Sequence, residues 1–61
     1  MEKTLLTVDE VARVLGIGRS LVYQYVMAGK LKSIKLGRLR RIPLEEVRIF
    51  VQGSLIETEV N

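Results

Sequence analysis

The chain has 61 residues, of which 48% are hydrophobic and 28% charged, and its formal net charge is +3 at pH 7. A chain of this length buries only about 60% of its unfolded surface, so it forms one domain with a small core and no room for an active-site cleft. Neither cysteine nor histidine is present, which excludes disulfide bonds, thiolate nucleophiles, zinc-finger ligands and the usual general base. We therefore expect no enzyme, metal or cofactor, and the short apolar runs predict no membrane span.

Positive charge is concentrated in the middle of the chain. Between Val11 and Pro43 there are eight basic residues and no acid, and all seven acids lie outside this segment. The basic residues are Arg13, Arg19, Lys30, Lys32, Lys35, Arg38, Arg40 and Arg41. This asymmetry favours a polyanionic partner such as nucleic acid, with a solvated basic surface as the alternative.

The first predicted helix covers residues 8–15. Thr7 and Glu10 have the spacing of a capping box, in which each side chain hydrogen-bonds the other residue's backbone amide. Apolar residues then recur with helical periodicity, and Gly16 suits the left-handed position that follows a helix.

The second predicted helix covers residues 19–28, with Gly18 as its N-cap and Gly29 beyond its end. Its apolar face packs on the first helix through Val22, Tyr25 and Val26. Its opposite face carries Ser20, Gln24 and Met27, with Arg19 and Tyr23 at the edge. Two helices joined by a tight glycine turn form a helix-turn-helix, whose second helix can enter the major groove of DNA.

A two-stranded hairpin and a third helix are predicted next. Residues 32–36 and 40–42 alternate loosely and flank a turn at residues 37–39. Pro43 is then predicted to begin the third helix and Gly53 to end it. We expect a domain over residues 1–53 and a tail over residues 54–61 that is either flexible or a protein-contact segment.

The order helix, turn, helix, basic hairpin, helix resembles the small winged helix-turn-helix family of phage and transposon excisionases, and the DNA-binding head of mercury-resistance-type regulators. The resemblance extends to about Val51. It depends on the spacing of all the matching residues taken together, since no single short motif is specific. The matching residues are Leu6, Thr7, Glu10, Ala12, Leu15, Gly16, Arg19, Val22, Tyr23, Val26, Gly29 and Leu31, then Gly37, Arg38, Arg41, Ile42 and Pro43. The resemblance implies a mostly α fold with a small β-hairpin.

Eight residues are predicted to contact double-stranded DNA. Arg19 is expected at a guanine edge or a phosphate, and Gln24 at an adenine edge. The resemblance implies a phosphate contact for the hydroxyl of Tyr23. Arg38 is expected at the hairpin tip, where a narrow A·T-rich minor groove attracts arginine. The full set is Arg19, Ser20, Tyr23, Gln24, Lys35, Arg38, Arg40 and Arg41.

The resemblance implies an excisionase, or recombination directionality factor, which binds beside attachment sites and bends DNA so that an integrase excises. The expected partners are double-stranded DNA, an integrase and head-to-tail copies of the chain, in the cytoplasm of a bacterium and associated with its nucleoid. A small transcription regulator of the same fold is the alternative, and a protein-interaction module is a third. That the given chain ends soon after the third helix favours an excisionase over the two alternatives. A protein contact could use the apolar residues without a predicted core position, Leu39, Ile49, Leu55 and Ile56.

Overall fold

The computed structural model describes the backbone of residues 4–60 and the side chains of residues 4–54. Over these residues the fold consists of three helices and a small three-stranded sheet. In chain order the elements are β1 (Leu5–Leu6), α1 (Val8–Leu15), α2 (Arg19–Met27), β2 (Ile34–Leu36), β3 (Leu39–Pro43) and α3 (Leu44–Val60).

The start of α1 is fixed by the predicted capping box. The amide of Glu10 donates to Thr7 Oγ1 at 3.0 Å, and the amide of Thr7 donates to Glu10 Oε1 at 2.9 Å. Two amide groups that have no partner within the helix are thereby satisfied. Gly16 follows α1 with φ +68° in the left-handed region, as predicted. The chain can therefore turn sharply towards α2 without steric strain.

The second helix agrees with the prediction except at its last residue. Gly18 is an extended N-cap that offers no side-chain hydrogen bond. The helix ends at Met27, and Ala28 is the C-cap rather than the last helical residue. Gly29 follows with φ +76°, which any residue with a side chain adopts only rarely. The chain therefore leaves α2 in the direction of the sheet.

The sheet has the order β1-β3-β2, and both pairs of strands are antiparallel. The predicted hairpin is confirmed, but its turn contains only Gly37 and Arg38, because Leu39 pairs with Leu36 in β3. Gly37 has φ +63° and Arg38 does not have a positive φ, which matches a two-residue turn with glycine first. We refer to this hairpin, residues 34–43, as the wing.

Strand β1 was not predicted, and its pairing corrects the start of the third helix. Pro43 is the last residue of β3, where it pairs with Leu5. The helix begins instead at Leu44, whose amide donates to the carbonyl oxygen of Thr4 at 2.9 Å. The segment before α1 is therefore held against β3, on the side of that strand opposite β2.

The predicted end of the third helix is also wrong, because α3 continues through Gly53 to Val60. A glycine inside a helix costs about 1 kcal/mol relative to alanine, which is not enough to end a helix at that point. Leu55 and Ile56 belong to this helix, but their side chains lie outside the described ones. The domain boundary after residue 53 stays a prediction.

The core joins the three helices to β1 and β3, whereas β2 is exposed along its whole length. Its largest fully buried side chains are Val11 from α1, Val22 from α2, Leu31 from the segment after α2, and Ile42 from β3. The rings of Tyr25 and Phe50 pack 4.9 Å apart between their centroids. Each fully buried aliphatic side chain contributes about 1.5–3 kcal/mol relative to exposure. The wing is thus attached to the helices by the same core that joins the helices.

The third helix contributes only part of its apolar surface to this core. Val47 is buried, and Leu44 and Phe50 are partly buried against the core. Val51, by contrast, is exposed. Leu39 and Ile49, for which the sequence offered no core position, are exposed as well.

The architecture is a small winged helix-turn-helix, as predicted. The two helices and their glycine turn carry the wing beside them, and α3 packs against β3. None of the helices within residues 4–60 has both the length and the apolar content that crossing a membrane requires.

The capping box gives a stability prediction. We expect Thr7→Ala to lower the free energy of unfolding by about 0.5–2 kcal/mol, because the amide of Glu10 loses its acceptor. Thr7→Ser keeps the hydroxyl and should stay near the wild-type value. Urea titration followed by circular dichroism measures both variants, and equal stability of the two would show that the hydroxyl is not the stabilising group.

Candidate nucleic-acid interface

One cleft lies between the amino ends of α1 and α2 on one side and the wing on the other. Six of the eight residues predicted to contact DNA border this cleft, and they come from two separate elements. The full lining is Thr7, Val8, Asp9, Arg19, Tyr23, Lys35, Arg38, Leu39, Arg40 and Arg41. The start of α2 and the wing therefore face a common space, as a single bound duplex would require.

Helix α2 presents its predicted residues in two adjacent stripes. Arg19 and Tyr23 are four residues apart, which places both on the face that borders the cleft. Ser20 and Gln24 are also four residues apart, one position further round the helix. Both are exposed, and neither borders the cleft. The first stripe lies beside the wing, and the second lies outside the cleft.

The wing brings like charges into direct opposition. Lys35 pairs with Arg40 across the antiparallel strands, so their side chains project from the same face of the hairpin. Opposed like charges destabilise a hairpin by up to about 1 kcal/mol. Arg38 extends this positive surface from the turn, where it is exposed. An anion bound at this surface would reduce the repulsion between Lys35 and Arg40.

Two of the wing arginines are anchored by hydrogen bonds that the sequence did not indicate. Arg40 Nη1 donates to Ser33 Oγ at 2.7 Å, and Arg41 Nη1 donates to the carbonyl oxygen of Arg40 at 3.0 Å. A guanidinium carries five N–H donors. Each contact orients its arginine while leaving donors for a further acceptor.

An ion pair that the sequence did not indicate lies inside the cleft. Arg19 Nε lies 2.7 Å from Asp9 Oδ1, and the two side chains are 62% and 59% exposed. Among the described residues that border the cleft, Asp9 is the only acid beside five cations. A pair this exposed contributes roughly 0.2–1 kcal/mol to folding. No local pattern signals the contact, because it depends on how the two helices approach each other.

Comparison with known proteins agrees with the geometry. Residues 5–54 match the family described as a helix-turn-helix domain. The chain is 47% identical over 53 residues to a protein of Streptomyces ambofaciens named "Excisionase", covering 87% of this chain and 86% of that protein. It is 51% identical over 41 residues to a "Probable excisionase" of Saccharopolyspora erythraea, covering 67% of this chain.

The first of these relatives matches over nearly its whole length, whereas the aligned part is 42% of the Saccharopolyspora protein. The fold and the match over residues 5–54 define the class, a helix-turn-helix domain. The chain belongs to the excisionase family of such domains.

Proposed function

We propose that the chain binds double-stranded DNA in a sequence-specific manner through the cleft and the exposed face of α2. The observation that carries this proposal is the shared cleft, in which five cations from α2 and the wing face one space. Phosphate neutralisation supplies much of the affinity of such proteins for DNA. In this arrangement α2 enters the major groove and the wing reaches the adjacent minor groove.

The two stripes of α2 have different roles in this proposal. Ser20 and Gln24, which are exposed outside the cleft, face base edges. A glutamine can pair with N6 and N7 of adenine, which gives sequence discrimination without adding charge. Tyr23 borders the cleft and is half-exposed, so its hydroxyl can donate to a phosphate.

The wing supplies the second part of the interface. Arg38 at the turn enters the minor groove, where narrow A·T-rich segments have the most negative potential. Lys35, Arg40 and Arg41 contact the phosphates on either side. These contacts fix the position of α2 on the duplex, and carry no sequence information themselves.

At the biological level, we infer that the chain acts as an excisionase. It binds beside an attachment site, bends the DNA and directs an integrase towards excision, without performing chemistry itself. The names of its relatives support this inference. Bending DNA costs on the order of 1–6 kcal/mol, and several head-to-tail copies on neighbouring sites would offset that cost through additional phosphate contacts.

Footprinting on the attachment region of the mobile element, together with an excision assay, tests this function. We expect protection of short neighbouring sites beside the attachment core, and more excision by the integrase when the chain is added. Protection confined to a promoter, with unchanged recombination, would assign the chain to transcription regulation instead. Failure to protect any duplex would contradict DNA binding itself.

Arg38 gives a test of the wing. We expect Arg38→Ala to weaken binding more on duplexes with A·T-rich flanks than on those with G·C-rich flanks, because the minor groove of the former attracts arginine. Titration of each duplex at several salt concentrations measures this difference.

Arg13→Ala is the matched control, since it removes the same charge from an exposed position on α1 that does not border the cleft. It should affect the two flanks equally and weakly. Equal losses on both flanks with Arg38→Ala, and a log–log salt slope smaller by about 0.9, would instead assign Arg38 to a phosphate.

Gln24 gives a test of the reading face. We expect Gln24→Ala to reduce the preference at one base pair by about 1–3 kcal/mol, with almost no change in salt slope because no charge is removed. Competition among duplexes with single base-pair changes measures this preference. Gln52→Ala, on the exposed surface of α3, should leave every preference intact. The same result for Gln24→Ala would show that the wrong face of α2 has been assigned to the bases.

A further inference from the structure

The acid in the cleft is unexpected for a surface that binds a polyanion. Asp9 lies in the first turn of α1, where a carboxylate interacts favourably with the helix dipole. The capping hydrogen bonds of this helix, however, are made by Thr7 and Glu10. Asp9 is instead in contact with Arg19, the first residue of α2. Its position in the cleft therefore affects Arg19 as well as the start of α1.

The geometry of the ion pair determines what Arg19 can still do. The contact engages Nε, which is the guanidinium nitrogen nearest the backbone. Among the described side chains of residues 4–54, Asp9 is the one partner of Arg19. Nη1 and Nη2 form the end of a planar fork whose N–H groups match two adjacent acceptors, such as O6 and N7 of guanine. A carboxylate on Nε thus restricts the arginine, while a guanidinium with five N–H donors keeps some of them for a base edge.

The charge of Asp9 has a second effect. A phosphate that approaches Arg19 also approaches the Asp9 carboxylate, so the attraction for the sugar–phosphate backbone is reduced. A guanine edge presents neutral acceptors and is repelled far less. The same carboxylate therefore lowers the affinity for DNA of any sequence while favouring one base.

We propose that Asp9 is a positioning residue that directs Arg19 to a guanine edge and away from phosphate, and so determines specificity at one base pair. This assignment rests on the proposed DNA-binding function. It also resolves the two roles that the sequence left open for Arg19, in favour of base contact.

The test compares two duplexes of equal length. One is selected by the wild-type chain from a randomised pool, and the other has random sequence. We expect Asp9→Ala to raise affinity for the random duplex about two- to fivefold at low salt, because a nearby negative charge is removed. Its salt slope should steepen by about 0.9, because the released Arg19 neutralises one more phosphate. The ratio of selected to random affinity should fall about fivefold or more, with the loss concentrated at one G·C pair.

Glu45→Ala is the matched control. Glu45 is an exposed carboxylate in the first turn of α3, so its removal changes net charge and helix-dipole stabilisation in the same way as Asp9→Ala. It does not border the cleft. We expect it to leave the ratio and the base preference unchanged. Thermal melting of both variants shows whether the fold is retained, and Asp9→Asn replaces Asp9→Ala if the latter unfolds.

Two further variants separate positioning from a general charge effect. Asp9→Glu keeps the carboxylate and should retain more of the guanine preference than Asp9→Ala. Adding Asp9→Ala to Arg19→Ala should cause no further loss of that preference, since Asp9 acts through Arg19.

The outcomes distinguish this proposal from the proposed function. If Asp9→Ala raises affinity for both duplexes equally and keeps every base preference, Asp9 is only a surface charge, and DNA binding still stands. If adding Asp9→Ala to Arg19→Ala lowers the guanine preference as much as Asp9→Ala lowers it in the wild-type chain, Asp9 does not act through Arg19 and the proposal fails. If the wild-type chain selects no duplex at all, the proposed function fails and this proposal with it.

Discussion

The burial of Ile42 is the constraint on which the rest of the structure depends. This side chain is fully buried, together with Val11 and Val22 from the helices and Leu31 from the segment after α2. Because alternate residues of a strand project to opposite faces, Arg40 lies on the same face of β3, beyond the edge of the core. A slip of one residue in β3 would turn Arg41 towards the core in place of Ile42, at the cost of burying an unpaired charge. Core packing therefore sets the register that places Lys35 and Arg40 on the face of the wing that carries Ile42.

The electrostatics of the cleft follow from that register. Lys35 and Arg40 oppose each other, and the hydrogen bond to Ser33 holds Arg40 in place. A free hairpin could relieve the repulsion by letting these side chains spread into solvent. The anchored arginine is less free to do so, which keeps positive charge concentrated where a phosphate can reach it. Positive charge is thus preorganised on the wing, at some expense to the stability of the hairpin alone.

Local signals made most of the helical part predictable. The capping box and the left-handed glycine after α1 act within a few residues, so the sequence contains them completely. Strand β1 has only two residues and exists because β3 lies beside it, which no local pattern reveals. The same pairing explains the error in the predicted role of Pro43. The fixed φ of proline suits the start of a helix and the end of a strand equally well. At Gly53 the unfavourable propensity was real but smaller than the tendency of the helix to continue.

The candidate site, too, was predictable where local signals exist and unpredictable where a contact depends on the fold. Composition and the turn glycine sufficed to predict the wing cations, but Asp9 falls just before the segment without acids and meets Arg19 only through the approach of two helix ends. The structure also shows that the edge of the predicted polar face of α2, and not its centre, borders the cleft. Tyr23 follows Arg19 into the cleft, whereas Gln24 follows Ser20 outside it. Because the stripe of α2 that borders the cleft faces the wing, its residues are the ones whose orientation the rest of the fold controls, and the base contact proposed for Arg19 depends on the ion pair at the start of that stripe.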